Sequence, residues 1–143
     1  EDVSLQIRTD EVSLGASCVS KYQAVRTFLV DEQRKMAETG NVILDGRDIG
    51  TCVLPDAQVK IYLTASSATR AKRRYDELTE KGVSCDLAEI EKDIIDRDYR
   101  DMHRETSPLR QAEDAVLVDS SEMNIDEVVD AIIRFIQRQN KET

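Results

Sequence analysis

The stretch VKIYLTASSATRAKRR, from Val59 to Arg74, predicts a strand that is followed almost at once by a helix. Its first five residues form a short, mostly apolar run, as in a strand covered on both faces of a parallel sheet. Ser66 or Ser67 then supplies a side-chain oxygen that can cap a helix, and Gly82 stands where a helix-terminating residue is expected. The stretch therefore indicates a strand–helix unit of an α/β fold.

The same pattern recurs on both sides of this stretch. Two more short apolar runs, Val42–Leu44 and Ala115–Val118, predict buried strands. Helical periodicity predicts helices from Asp10 to about Ser20, from Gln23 to Thr39 with Gly40 as a left-handed cap, from Asp86 to about Arg104, and from Ile125 to about Arg138. Strands that alternate with helices in this way indicate an α/β fold, in which helices flank a mainly parallel sheet.

The charge of the chain limits the partners to be expected. The 143 residues include 20 basic and 29 acidic side chains, a formal net charge of −9, which is repelled by nucleic acid backbones and by anionic membranes. Thirteen of the basic residues are arginine, whose planar fork suits a phosphate or carboxylate group. A small anionic ligand is one interpretation, and pairing of surface arginines with the abundant acids is the other.

The cysteines and the histidine indicate the cellular setting. Three cysteines, an odd number without C-x-x-C spacing, predict free thiols in a reducing compartment and hence a cytoplasmic protein. Because the chain has one histidine, no structural metal site is expected. No apolar run approaches the roughly 18 residues that a membrane span needs.

The segment Asp45–Thr51, DGRDIGT, directly follows a predicted buried strand. Ligands of open parallel sheets bind at the carboxyl ends of the strands, so this loop is the first place to look for a site. Arg47 is a candidate phosphate ligand and Asp48 a candidate acceptor for an amino group. A tight turn with a local Asp–Arg pair is the alternative.

A second candidate is a stripe on the predicted helix 86–104. At about 100° per residue, the apolar residues Leu87, Ile90 and Ile94 and the ionic residues Asp101 and Arg104 all fall within about 80° of Arg97. A structural helix would keep such a face apolar to its end, so the stripe predicts that the helix enters a polar cleft. The alternative is an internal ladder in which Asp101 bonds both arginines.

A third basic cluster comprises Arg70, Lys72, Arg73 and Arg74 on the helix after the 59–63 strand. Acidic residues three and four positions away make a solvated helix face with local ion pairs one interpretation. The position of the cluster beside a strand end leaves a functional role open.

Together these segments resemble the bacterial cytidylate kinases, which belong to the nucleoside monophosphate kinase family. The matching stretches cover nearly the whole chain: IRTDEVSLGAS (Ile7–Ser17), the helix with Arg26, LDGRDIGTCVLPDA (Leu44–Ala57), VKIYLTASSATRAKRR (Val59–Arg74), RDYRDMHRETSPL (Arg97–Leu109) and LVDSSEM (Leu117–Met123). The combination of these motifs is specific, although each alone is weak. The resemblance implies a P-loop NTPase fold of the nucleoside monophosphate kinase type, incomplete at its N-terminus.

The resemblance also implies an activity and a set of site residues. The implied reaction is phosphoryl transfer from ATP, carried with Mg²⁺, to CMP or dCMP. The resemblance assigns contacts with cytosine to Ser17, Arg26 and Asp48, and contacts with the ribose to Arg97 and Asp101. It assigns contacts with the α-phosphate to Arg47 and Arg104. The catalytic residues that it implies are Arg47, Arg104, Arg73 and Arg74. Residues 1–22 would end the monophosphate-binding insert, and residues 23–143 would form the C-terminal part of the kinase core, with a lid at about 70–86.

The sequence departs from the family pattern at one point. No G-x-x-x-x-G-K-[ST] motif occurs in these 143 residues, and GRDIGT (Gly46–Thr51) lacks both its lysine and its spacing. We therefore expect that the chain begins inside the insert, is inactive alone, and exposes sheet edges that favour association, whereas the full-length protein is monomeric. The alternatives are a non-catalytic nucleotide-binding module, a plain α/β interaction domain, and a kinase for UMP or AMP.

Overall fold

The computed structural model describes residues 2–4, 6–20 and 22–142, with the side chains of all of these except residues 8, 10 and 140–142. The chain divides into two compact units, residues 1–45 and residues 46–143.

The N-terminal unit is helical. A short 3₁₀ turn at Gln6–Arg8 leads into helix α1, Asp10–Val19, and helix α2 spans Gln23–Glu38. Thr9 caps α1, because its side-chain oxygen accepts a hydrogen bond from the backbone N–H of Val12 at 3.3 Å. Both helices were predicted from the sequence, and the structure confirms them.

The end of α2 differs from the prediction. The helix ends at Glu38, its cap residue Thr39 keeps a right-handed conformation, and Gly40 does not adopt a positive φ. The Thr39 backbone N–H and hydroxyl both donate to the carbonyl of Met36, at 3.4 and 2.8 Å. Because Thr39 satisfies this terminal carbonyl, no left-handed glycine is needed there.

The predicted strand at Val42–Leu44 is wrong. Among the described residues, only β1 and β2, both in the C-terminal unit, are strands. Ile43 is 98% exposed, the reverse of a buried strand. A short apolar run forms a strand only when a neighbour completes its hydrogen-bond ladder, and no described strand pairs with this run.

The C-terminal unit contains a parallel two-stranded sheet. Strand β1 is Ile61–Thr64 and strand β2 is Val116–Asp119. Ile61 lies opposite Val116 and Thr64 opposite Asp119, so the carboxyl ends of the two strands lie side by side. Two of the three predicted strands are thus confirmed, each one or two residues further along the chain than predicted.

Two helices, α3 (Ser67–Glu80) and α4 (Leu87–His103), connect the strands and pack against each other. Ser66 caps α3 by accepting from Thr69 N at 3.1 Å. Asp86 caps α4 by accepting from the backbone N–H groups of Ala88 and Glu89, at 2.8 and 3.0 Å. These contacts confirm both predicted helix starts.

The predicted left-handed glycine after α3 is also confirmed. Gly82 has a φ of 73°, and Val83 N donates to Leu78 O at 2.9 Å to close the end of the helix. Helix α5, Ile125–Glu142, follows β2 and begins with a reciprocal cap. Asn124 Oδ1 accepts from Glu127 N at 2.9 Å, and Glu127 Oε2 accepts from Asn124 N at 2.8 Å.

The buried residues of the described chain are few, and several are polar. The apolar ones are Val53, Ala65, Ala71 and Val118, and the polar ones are Asp48, Asp101 and Ser120. Buried carboxylates are costly unless they are paired, so the surroundings of these two aspartates are where a site is expected.

Two further sequence predictions bear on the described chain. Cys18, Cys52 and Cys85 are not joined by disulfide bonds in the part of the chain that the structure describes, in agreement with the predicted thiols. None of the helices in the described ranges combines the length and the apolar character needed to cross a membrane.

Candidate nucleotide site

A tight π-helical turn at Ile49–Val53 positions the first candidate residues. The backbone N–H groups of Thr51, Cys52 and Val53 all donate to the carbonyl of Asp48, at 3.3, 2.8 and 3.3 Å. This turn gathers the backbone around Asp48, whose side chain is only 11% exposed.

Gly46 leaves room for the Ile49 side chain in this turn. A β-carbon at Gly46 would lie 2.9 Å from Cγ1 of Ile49, closer than non-bonded carbon atoms normally come, so the Ile49 side chain would have to shift. The glycine therefore lets the chain pass close to the Ile49 side chain immediately before Arg47 and Asp48.

The last turns of α4 supply the opposing groups. Asp101 lies on the inner face near the end of the helix and is buried. Arg104 is not on the helix, because α4 ends at His103 and Arg104 is extended, with φ −66° and ψ 142°. Since the φ of Arg104 is still helical and only its ψ departs, the predicted helix end at about Arg104 is confirmed to within one residue, and the Arg104 side chain lies beside the same site as Asp101.

The two segments meet through oppositely charged side chains. Arg47 Nε donates to Asp101 Oδ2 in an ion pair. Arg104 Nη2 lies 4.0 Å from Asp48 Oδ1. Each segment thus contributes one arginine and one aspartate, and each arginine faces the aspartate of the other segment. The structure brings these four predicted residues together.

Two sequence interpretations are corrected by this pairing. The Asp–Arg pair within the 45–51 loop is not the contact that forms, because Arg47 bonds Asp101 rather than its neighbour. The ladder inside α4 does not form either, since Asp101 bonds Arg47 of the loop and not the arginines of its own segment.

Arg97 is not part of this contact. It lies one helical turn before Asp101 and is exposed. Its guanidinium makes no hydrogen bond or ion pair to any residue that the structure describes. Its predicted role at the ribose stays a prediction.

The remaining predicted substrate residues lie in the N-terminal unit. Ser17 is in the last two turns of α1, where its carbonyl accepts the Ser20 hydroxyl at 2.9 Å, and its side chain is exposed. Arg26 is in the first turn of α2 and is half-buried. Their predicted contacts with cytosine stay predictions.

The arginines of α3 are engaged in different ways. Arg74 Nη1 donates to Glu77 Oε2 at 3.0 Å on its own helix, as in the solvated-face interpretation. Arg73 instead reaches the turn after β2, where its Nη2 donates to the carbonyls of Ser120 and Met123, at 2.7 and 3.1 Å. Arg73 thus ties α3 to the carboxyl end of the sheet.

Arg70 joins α3 to two further elements. Its Nη1 and Nη2 donate to the two carboxylate oxygens of Asp98 on α4, the first at 3.0 Å, and its Nε donates to Ala65 O at 3.1 Å. The hydrogen-bonded Asp98 raises the pKa of the Arg70 guanidinium above its usual range. This fork fixes α4 against the end of β1, three residues before Asp101.

Two residues that matter for this geometry were missed by the sequence interpretation. The sequence interpretation gave Asp98 no role, although a carboxylate on a neighbouring helix can pair with an arginine of an arginine-rich helix such as α3. Ser107 lies in the turn after α4, where its carbonyl accepts Arg104 Nε at 2.6 Å. The Ser–Pro dipeptide at 107–108 was the available indication of a turn there.

The site combines two guanidinium groups with two nearly enclosed carboxylates. Guanidinium forks bind phosphate oxygens, and enclosed carboxylates accept hydrogen bonds from amino or hydroxyl groups. A ligand with a phosphate at one end and hydrogen-bond donors at the other would match both kinds of group.

Comparisons with known proteins agree with this chemistry. The family profile described as cytidylate kinase matches residues 1–138. The chain is 52% identical over 141 residues to a cytidylate kinase of Lactobacillus johnsonii, which covers 99% of the chain and 61% of that relative. It is 48% identical over 143 residues to a cytidylate kinase of Lactiplantibacillus plantarum, covering 100% of the chain and 63% of the relative.

A cytidylate kinase 1 of Haemophilus influenzae is 49% identical over 137 residues, with 96% of the chain and 59% of the relative covered. The chain thus spans about three-fifths of the length of the curated relatives it matches. Because the profile and the identities extend over nearly the whole chain, the chain belongs to the cytidylate kinase family.

Proposed function

We propose that the protein transfers the γ-phosphoryl group of ATP to CMP or dCMP, and that these 143 residues carry the monophosphate site. The family membership supports the reaction. The observation that carries the assignment of the site is the crossed pairing of Arg47 with Asp101 and of Arg104 with Asp48 at the meeting point of the loop and α4.

Arg47 and Arg104 bind the α-phosphate in this proposal. Both are held by carboxylates before any ligand arrives, so their guanidinium groups are already oriented. A phosphate dianion competes with these carboxylates, since it offers more acceptor oxygens to the same forks. The released carboxylates then become available to the hydrogen-bond donors of the nucleoside.

Asp48 accepts the exocyclic amino group of cytosine. Its carboxylate is nearly enclosed, so a hydrogen bond there is little weakened by water. Uracil would present a carbonyl oxygen to the same carboxylate, and a mispaired buried polar group costs about 1–3 kcal/mol. Ser17 and Arg26 are proposed as further cytosine contacts, and Arg97 and Asp101 as ribose contacts.

The donor side of the reaction rests on the family resemblance. ATP enters with its Mg²⁺ as substrate, and Arg73 and Arg74, in a lid at about residues 70–86, stabilise the transferring phosphoryl group by charge. Because these 143 residues contain no phosphate-cradling G-x-x-x-x-G-K-[ST] loop, the chain by itself gives no transfer above background. Polymeric nucleic acid has no part in the proposal.

Calorimetric titration of the 143-residue chain with CMP tests the proposed site. Asp48→Ala and Arg104→Ala should each weaken CMP binding by about tenfold or more, as expected for a lost charge-assisted hydrogen bond. Arg134→Ala is the matched control, since Arg134 is an exposed arginine of α5 that donates to Asp130 O on its own helix. Equal CMP affinity in all three variants would refute the site.

A nucleotide-binding module without catalysis is the second candidate, and the missing phosphate-cradling loop favours it. The two functions are separated by ADP formation from ATP and CMP, measured on this chain and on a protein of the relatives' full length. Turnover by the longer protein and not by this chain supports the kinase. CMP binding without turnover by either protein supports the module.

A further inference from the structure

Ser107 has an unusual backbone conformation beside the candidate site. Its φ is 51°, and it is the one non-glycine residue in the described part of the chain with a positive φ. This left-handed region is unfavourable for residues with a β-carbon. A proline restricts the residue before it to extended backbone conformations, which disfavours the left-handed region further. Pro108 follows Ser107. Such conformations persist only where surrounding contacts enforce them, and they cluster at functional sites.

Two hydrogen bonds hold the turn that contains Ser107. Leu109 N donates to the carbonyl of Asp101 at 2.8 Å, which closes the turn onto the end of α4. Arg104 Nε donates to the carbonyl of Ser107 at 2.6 Å, which draws the arginine side chain into the turn. The first bond involves Asp101 and the second involves Arg104, and both residues belong to the candidate site.

The backbone of Ser107 thereby sets the direction of Arg104. The dihedral angles of Ser107 orient the peptide group between residues 107 and 108, and in the conformation observed the carbonyl of this group meets Arg104 Nε. With Nε held there, Arg104 Nη2 lies 4.0 Å from Asp48 Oδ1, and its side chain is 25% exposed. A different conformation at Ser107 would turn this acceptor away from Nε.

We propose that Ser107 is a positioning residue for the nucleotide site: its left-handed backbone aims the carbonyl that holds Arg104 against Asp48. The inference rests on the proposed function, because it takes Arg104 as a ligand of the monophosphate. It adds that the orientation of this arginine is built in before CMP binds. Preorganised donors of this kind bind without an ordering cost at the moment of binding.

Two substitutions at the same position separate the backbone from the side chain. Ser107→Gly keeps the left-handed conformation accessible and should bind CMP within about twofold of the unsubstituted chain. Ser107→Val disfavours that conformation and should weaken CMP binding by about tenfold. The proposal is overturned if Ser107→Gly loses as much affinity as Ser107→Val, or if Ser107→Val binds CMP normally.

A double-mutant comparison distinguishes positioning from a general structural effect. In an Arg104→Ala background, Ser107→Val should cause no further loss of CMP affinity, because the arginine that it positions is already absent. A purely structural role predicts the same fold-loss in both backgrounds, and that result contradicts the proposal.

The Arg104 side chain itself provides a readout that does not depend on nucleotide binding. In ¹H–¹⁵N spectra of the chain, the Arg104 Nε–H should be protected from solvent exchange in the unsubstituted chain and in Ser107→Gly, and unprotected in Ser107→Val. Arg100, whose Nε donates to Asp96 O at 3.1 Å within α4, should be unchanged throughout. If Arg104 is equally protected in all three proteins, Ser107 does not position it.

This readout keeps the two proposals apart. If the Arg104 signal responds as expected but the unsubstituted chain binds no CMP, the proposed function fails, while the orientation of Arg104 by the Ser107 backbone stands. If CMP binds and Arg104→Ala weakens it, while the Arg104 signal ignores Ser107→Val, the positioning role fails and the proposed function stands.

Discussion

Arg47 Nε donates to Asp101 Oδ2 across 54 residues of sequence, and this ion pair links the loop before the π-helical turn to the end of α4. The two side chains are unequally enclosed, with Arg47 39% exposed and Asp101 12% exposed. Removing the arginine would leave a nearly buried carboxylate without its charged partner, which costs more than the pair contributes when intact.

Arg47→Ala should therefore destabilise the chain by about 1–3 kcal/mol, and Asp101→Asn in the same background should recover part of the loss. Urea denaturation at pH 7 measures the free energy of unfolding of each variant. Arg97→Ala is the matched control, because Arg97 is an exposed arginine of the same site region. An Arg97→Ala loss as large as that of Arg47→Ala would contradict the argument.

Asp48→Asn should change the choice of base. An amide can donate as well as accept, so it no longer penalises the carbonyl that uracil presents in place of the cytosine amino group. We expect CMP affinity to fall by about tenfold and the preference for CMP over UMP to narrow. Parallel calorimetric titrations with CMP and UMP measure both quantities.

The control for this prediction is Asp45→Asn, since Asp45 is an exposed aspartate. Asp45→Asn should change neither the affinity for CMP nor the affinity for UMP. Unchanged base preference in Asp48→Asn would favour a kinase for UMP or AMP over one for CMP.

Arg70 should be more sensitive to replacement by lysine than Arg74. Lysine keeps the charge of Arg70 but cannot supply the two-pronged contact with Asp98 together with the Nε bond to Ala65 O. Because both partners are partly exposed, we expect a loss of only about 1 kcal/mol.

Thermal or urea unfolding of Arg70→Lys and Arg74→Lys measures the difference. Arg74 donates to Glu77 one turn away on its own helix, a contact that lysine can also make, so its replacement by lysine should be nearly neutral. Equal effects of the two substitutions would show that the fork does not hold α3 to α4.

Much of the fold was predictable because its determinants are local. The Ser66 and Asp86 caps, the left-handed Gly82 and the apolar runs of β1 and β2 depend on neighbours a few residues away. The 42–44 run failed because a strand also needs a partner, and periodicity in one segment does not identify that partner.

The four residues that meet between the 45–51 loop and the end of α4 were predictable, but their pairing was not. The motifs identified Arg47, Asp48, Asp101 and Arg104, yet the crossed contacts depend on where α4 ends and how the chain turns after it. The helical projection reached Arg104, the residue that caps α4, but it did not show the turn that the Leu109–Asp101 backbone bond closes after this residue. Long-range closures of this kind leave little trace in a local sequence pattern.

Lys60 gives a pH-dependent prediction, because its nearly buried amino group donates to Asp114 at 2.9 and 2.6 Å and to the carbonyl of Pro55. The hydrogen bond from Lys60 lowers the pKa of Asp114 below its ordinary value of 3.8. A carboxyl group whose pKa is lowered in the folded state stabilises the fold at pH values above its unfolded-state pKa. This contribution is lost as the pH falls through the folded-state pKa. Lys60→Met, which keeps the apolar stem, should therefore be destabilised relative to the unsubstituted chain at pH 7, with a smaller deficit in strong acid. Urea unfolding at pH 7 and in strong acid measures the free energy of unfolding of the two proteins. A deficit of the same size under both conditions would show that the pairing with Asp114 does not contribute to the deficit.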